Sequence, residues 1–255
     1  MQYVIGFVIA LFIALTGVGA GTITVPVLVV FLGVPSPVAV GIGLVFASAV
    51  KLILVPAQMV RRNVAWRVLG FMLLGGVPGV VAGSLLLRQL VNAGSQNLVN
   101  ALLGIILVTI ASLQILFFFY PKNQRPQRQD YSRLLSWLML PVGAEVGFSS
   151  AGAGALGSVA LLSLTALQPA QVIGTDIAFG FVVSLIGSGA HWFSCASQPA
   201  LLLHLIEGGV VGAIAGTVLS KRVPQRQLRF ALWVWLLILG GQFLFNSYRI
   251  WAASN

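Results

Sequence analysis

Few residues in this chain could do chemistry inside an apolar environment, and they are spaced unevenly. Lys51 stands in the middle of an apolar run, and Asp176 stands in another. Glu145 lies just before a glycine-rich stretch. A charge at the centre of an apolar helix costs roughly 2.5–3.5 kcal/mol on insertion scales, so each of these is a functional candidate by default. A cation at Lys51 can balance an anion or pair with a carboxylate. Asp176 and Glu145 are proton-coupling candidates. So are His191 and the pair His204 and Glu207, which are three apart and share a helix face. Imidazole titrates near physiological pH and suits proton handling.

Two glycine-rich turns supply a different chemistry. They read Thr16-Gly17-Val18-Gly19-Ala20-Gly21-Thr22 and Ser149-Ser150-Ala151-Gly152-Ala153-Gly154. Glycine lets backbone N–H groups approach a ligand closely. A helix that begins just after such a turn points free N–H groups and a positive dipole end at whatever sits there. That is an anion site. Thr16, Thr22, Ser149 and Ser150 add hydroxyl donors. The substrate-binding candidates are therefore these four residues, the glycines Gly17, Gly19, Gly21, Gly152 and Gly154, and Lys51.

The elements that position these residues must live in lipid. Of 255 residues, 58% are hydrophobic and 7% are charged. Soluble domains carry about 25% charged residues. A helix needs about 20 apolar residues to cross a bilayer. Residues 37–60, 68–87, 98–119, 170–193, 200–220 and 230–247 meet or approach that length. Residues 3–32 are too rich in internal glycine for one simple span. No cleavable signal pattern stands at the start. The net charge of +10 sits mostly in short gaps: Arg61, Arg62 and Arg67; Lys122, Arg125, Arg128 and Arg133; Lys221, Arg222, Arg226 and Arg229. That distribution is a topology signal rather than a nucleic-acid surface. The one cysteine, Cys195, excludes an internal disulfide and a cysteine metal cage.

An ungapped shift of 133 residues superposes seven glycines. Gly19 and Gly21 fall on Gly152 and Gly154, and Gly41 on Gly174. Gly75, Gly76, Gly79 and Gly83 fall on Gly208, Gly209, Gly212 and Gly216. The chain therefore reads as two repeats, 1–119 and 134–255, joined by a cytoplasmic linker at 120–133. Placing the basic gaps inside leaves 134–166, and its counterpart 1–33, crossing the membrane zero or two times. Residues 3–16 and 22–32 would make helices of about 21 and 17 Å, too short to span alone. Each segment is expected to be a re-entrant or V-shaped pair of short helices with its glycine turn at the tip. Three full crossings follow in each half, so the halves point oppositely, as in many transporters. The fold class is all-α and polytopic. The GGxxGxxxG runs at 75–83 and 208–216 read as close-packing surfaces.

The set of motifs resembles the TauE/SafE family, also known as the 4-toluene sulfonate uptake permeases. Gly17-Val18-Gly19-Ala20-Gly21 followed by Pro26, then Ala39-Val40-Gly41, is similar to the family's glycine turn, proline and AVGT-like stretch. Arg61-Arg62-Asn63-Val64-Ala65-Trp66-Arg67 is similar to its RRGxVDWR stretch. Ile173-Gly174-Thr175-Asp176-Ile177 also resembles the family, and Lys51 and Gly189-Ala190-His191 look like features of one branch of it. The chain departs from the pattern at Ile42-Gly43, where that branch often has Thr-Asp, and at Val159, which matches Pro26. The resemblance adds Thr175 to the substrate-binding candidates. It implies a carrier of sulfite, sulfonate or a related sulfur oxyanion.

Taken together, these residues predict a multi-pass carrier of the cell inner membrane that moves a small anion by alternating access, with room for proton coupling. No cofactor, metal or nucleic acid is expected, and direct ATP hydrolysis is not expected either, because the sequence has no Walker A motif. A passive anion channel is the alternative. An intramembrane enzyme is a weaker one. Ser188 and His191 lie three apart, but no loop presents the serine as a nucleophile.

Overall fold

A computed structural model describes residues 2–16, 19–119, 133–192, 198–219 and 225–254. Gly17, Val18, Cys195 and nearly all of the expected linker fall outside the described residues. Ten helices make up the described chain. They are α1 (Gln2–Thr16), α2 (Ala20–Leu32), α3 (Ser36–Val60), α4 (Trp66–Asn92) and α5 (Gln96–Phe119), then α6 (Leu134–Ser149), α7 (Ala153–Leu164), α8 (Pro169–Ala190), α9 (Pro199–Leu219) and α10 (Gln225–Ser254).

Six of these are long and apolar enough to cross a membrane: α3, α4, α5, α8, α9 and the Gln227–Ala252 part of α10. The apolar runs read from sequence correspond to these six. Leu74 is 68% exposed and Ile238 61%, which suits side chains facing acyl chains rather than water. The breaks follow local chemistry. Gly33 ends α2 in the left-handed region at φ 64°, where glycine alone is unstrained. Proline opens α8 and α9, where its missing N–H costs nothing. The segments 3–32 and 134–166 are each broken into two short helices at the glycine turn, as expected.

The two most extensive helix contacts are α4 with α6 and α1 with α9. Both are glycine-lined. Carbonyls of Ser136, Leu140 and Ala144 on α6 lie where a Cβ on Gly75, Gly79 or Gly83 would sit. Carbonyls of Tyr3 and Phe7 on α1 stand in the same relation to Gly208 and Gly212. Phe179 fills the space over Gly76, and Phe46 the space over Gly209. Each contact in one set is related to its counterpart in the other by the 133-residue shift. The glycine runs thus serve the close packing read from their sequence. α3 crosses α8, and α5 crosses α10.

Candidate functional site

α7 is the element around which the site is built. It starts at Ala153, and its first residues, Gly152-Ala153-Gly154-Ala155-Leu156-Gly157-Ser158, are mostly small. Small residues there let other side chains reach the helix backbone. No side chain caps the start of α7, and none caps the start of α2. Thr22 turns both its N–H and its hydroxyl back to the Gly19 carbonyl.

The starts of α2 and α7 face each other. A Cβ built on Gly19 would lie 3.1 Å from the Gly154 nitrogen and 3.5 Å from the Ala151 carbonyl oxygen. One built on Gly21 would overlap the Ser150 carbonyl and hydroxyl. Only glycine fits at position 21, where the atom opposite is a backbone carbonyl, and any side chain at position 19 would be tightly pressed against backbone. Each helix start carries roughly half a positive charge, so two of them converge here. Ser150 is left-handed, at φ 64°, and buried, and its hydroxyl has no hydrogen-bond partner.

Lys51 of α3 is 6% exposed. Its ammonium donates to Ser184 Oγ at 3.4 Å. It lies against Gly180 of α8, so closely that a Cβ there would meet Nζ, and that same Cβ would be 3.5 Å from Ala153 Cβ at the start of α7. Asp176, one helical turn before Gly180, is also buried. It accepts from Ser158 Oγ at 2.7 Å, and its Oδ1 has no hydrogen-bond partner and rests against Gly157. Lys51 and Asp176 thus approach the same stretch of α8, and Asp176 Oδ1 makes no hydrogen bond to the ammonium.

Glu145 completes the ring from α6. Ser149 donates to its Oε1, and the Ala151 N–H donates to Ser149 Oγ at 3.1 Å. Glu145 Oε2 is buried, unpartnered and seated against Gly152. The structure therefore brings together Gly19, Gly21, Lys51, Glu145, Ser149, Ser150, Gly152, Gly154 and Asp176 around the start of α7. Thr16 ends α1 with its hydroxyl on the Phe12 carbonyl at 2.6 Å, and Thr22 is fully buried beside Gly19.

The remaining candidates go elsewhere. Thr175 accepts the Ala65 N–H at 2.9 Å and so ties α8 to the start of α4. His191 follows α8 and bonds the Gly147 carbonyl at 3.0 Å. His204 bonds Gln2 Oε1 at 2.7 Å and packs on Tyr3, with ring centroids 4.3 Å apart. Gln2 and Tyr3 are at the end of α1 far from the tip, roughly 20 Å along the helix. Glu207 is exposed and lines an open surface groove with Tyr3, Val4, Phe7, Gly208 and Val211. The proton-coupling candidates His191, His204 and Glu207 are thus divided between two places. Ser188 donates to the Leu185 carbonyl at 2.7 Å, and the His191 ring is engaged with Gly147, so that serine and histidine are not paired.

Sequence reasoning passed over Ser158, Ser184, Gly157 and Gly180. One signal was present for Ser184: it is the equivalent of Lys51 at the 133-residue shift. Residues that a repeat relates can meet each other where the two halves touch.

Comparison with known families matches residues 3–243 to the family described as sulfite exporter TauE/SafE. Among curated proteins, the chain is similar to the "Probable membrane transporter protein YjnA" of Bacillus subtilis (strain 168). The two are 28% identical over 244 residues, covering 92% of this chain and 95% of that protein. No solved structure matches the chain.

Proposed function

The chain belongs to the sulfite exporter TauE/SafE family and is a multi-pass membrane transporter, and from that premise we propose that it carries a small sulfur oxyanion across a bacterial-type inner membrane. The anion sits where α2 and α7 meet N-terminus to N-terminus. The observation that carries this reading is the approach of Gly19 to the Gly154 nitrogen with no side-chain cap on either helix. Two uncapped helix starts offer free N–H groups to oxygen atoms. Lys51 supplies a full charge beside them, and Ser150 an unused hydroxyl.

The halves 1–119 and 134–255 act as inverted repeats that rock against each other. The exchange of partners supports this: the first helix of each half packs on the fourth helix of the other. So does the contact of Lys51 with its own equivalent, Ser184. A position that touches its equivalent lies on the axis relating the two. The anion would then lie next to that axis, where small rotations of either half expose it to one side or the other.

The test is counterflow in proteoliposomes preloaded with sulfite, an organosulfonate, sulfate or a carboxylate. Saturable exchange selective for sulfur anions is expected. Flux that does not saturate and shows no trans-stimulation would make the protein a passive channel, and saturable exchange of the carboxylate alone would overturn the substrate class.

A further inference from the structure

Three buried polar atoms around the start of α7 have no hydrogen-bond partner: Glu145 Oε2, Ser150 Oγ and Asp176 Oδ1. Each is aimed at a helix start or its first turns. Ser150 Oγ lies against Gly21 in the first turn of α2 and 3.1 Å from a Cβ built on Gly43. Asp176 Oδ1 lies against Gly157, and Glu145 Oε2 against Gly152. Gly152 is five residues before Gly157 in the chain, so the two carboxyl groups meet α7 at its start and a little over one turn in.

Two of these three atoms are carboxyl oxygens, which is an odd lining for an anion site. With Lys51, Asp176 and Glu145 all ionised, their charges sum to −1. An incoming monoanion would raise that to −2 in a region of low dielectric. The sum stays at −1 only if a proton arrives with the anion. Asp176 accepts from Ser158 and lies one helical turn from Gly180, against which the Lys51 ammonium rests. Glu145 accepts only from Ser149.

The groups around Glu145 leave it without a counterion. α2, α5 and α7 carry no ionisable side chain. On α4, Arg67 and Arg88 are exposed near the helix ends. On α6 itself no other ionisable residue is present. α8 brings Asp176 and, after its end, His191, which is engaged with the Gly147 carbonyl two residues beyond Glu145.

We propose that Glu145 is the proton carrier of this transporter, taking up one proton with each anion and releasing it with the anion on the other side. This rests on the anion-carrier reading above. On the loading side the carboxylate gains H⁺ and becomes a neutral carboxyl whose Oε2–H donates toward the anion. On the release side the proton returns to water and the carboxylate is restored. No bond of the anion is made or broken. A monoanion is thus moved electroneutrally, in the direction of the proton gradient. Ser149 positions the group, since it holds Oε1 and turns Oε2 toward Gly152.

Methanesulfonate is the probe, because its sulfonate stays ionised over the working pH range. Proteoliposomes containing an entrapped pH dye are compared for the unmodified protein and Glu145→Gln, whose amide mimics the neutral carboxyl. The unmodified protein should show counterflow at equal pH on both sides. It should accumulate methanesulfonate when the outside is acid, and acidify the lumen by about one proton per anion. Glu145→Gln should still show measurable, pH-independent counterflow, with neither accumulation nor lumenal acidification. Gradient-driven accumulation with proton entry in Glu145→Gln would overturn the proposal. So would loss of all counterflow in folded Glu145→Gln, which would make Glu145 part of the anion site alone. Absence of methanesulfonate counterflow in the unmodified protein, with sulfite exchange also absent, would instead sink the anion-carrier reading beneath it.

Discussion

The two halves are alike in how they pack and unlike in what chemistry they bring. Gly79 meets the Leu140 carbonyl as Gly212 meets the Phe7 carbonyl, and Phe179 covers Gly76 as Phe46 covers Gly209. The polar groups do not repeat in this way. The equivalents of Glu145, Asp176 and His191 are Phe12, Gly43 and Gln58, and the equivalent of Ser184 is Lys51. The first half supplies the cation, and the second supplies both carboxyl groups and most hydroxyls. A duplicated scaffold needs its packing twice, because each half must bury the same surfaces. It needs a site only once where the halves meet, and there the two copies of a position are free to diverge.

The packing half of this comparison can be broken first. Gly79→Leu and Gly212→Leu each drive a side chain into a backbone carbonyl that cannot turn away. Overpacking of this kind costs about 1–3 kcal/mol and often more where backbone is opposed. Both variants should lose folded protein in detergent to a similar degree, followed by thermal unfolding. A loss confined to one of them would show that the halves do not share their packing.

The chemical half predicts unequal effects at equivalent positions. Lys51→Ala should lower sulfur-anion counterflow by tenfold or more, because it removes the only full positive charge placed among the described residues at the tips. Ser184→Ala, its equivalent, should change counterflow by less than about threefold, since the 3.4 Å hydrogen bond is long. Equal losses would remove the asymmetry. A smaller effect is expected at Thr175. Thr175→Val leaves the Ala65 N–H without its partner and should cost on the order of 1 kcal/mol of stability. Its half-saturating anion concentration should stay as in the unmodified protein, and a large rise would return Thr175 to the anion site.

Thr175 also shows where sequence reading stops. The glycine turns, the short helices beside them and the six long apolar helices were legible, because local hydropathy and helix-breaking residues set them. Lys51, Asp176 and Glu145 were legible as candidates, because a charge in an apolar run is rare for any reason but use. The direction in which a side chain points across the bundle is fixed by the crossing of distant helices. So Thr175, next to Asp176 in the chain, is turned to the start of α4 while Asp176 turns to α7. His204 and Glu207 share a helix face as their spacing requires, but that face lies on α1 near its beginning rather than at the tip.

The uncapped starts of α2 and α7 bear on the proposed transport cycle. Two like poles held face to face repel when nothing lies between them, and an anion bound there as proposed would turn that repulsion into cohesion. The occupied carrier would then be the more tightly held form, and the empty one the looser.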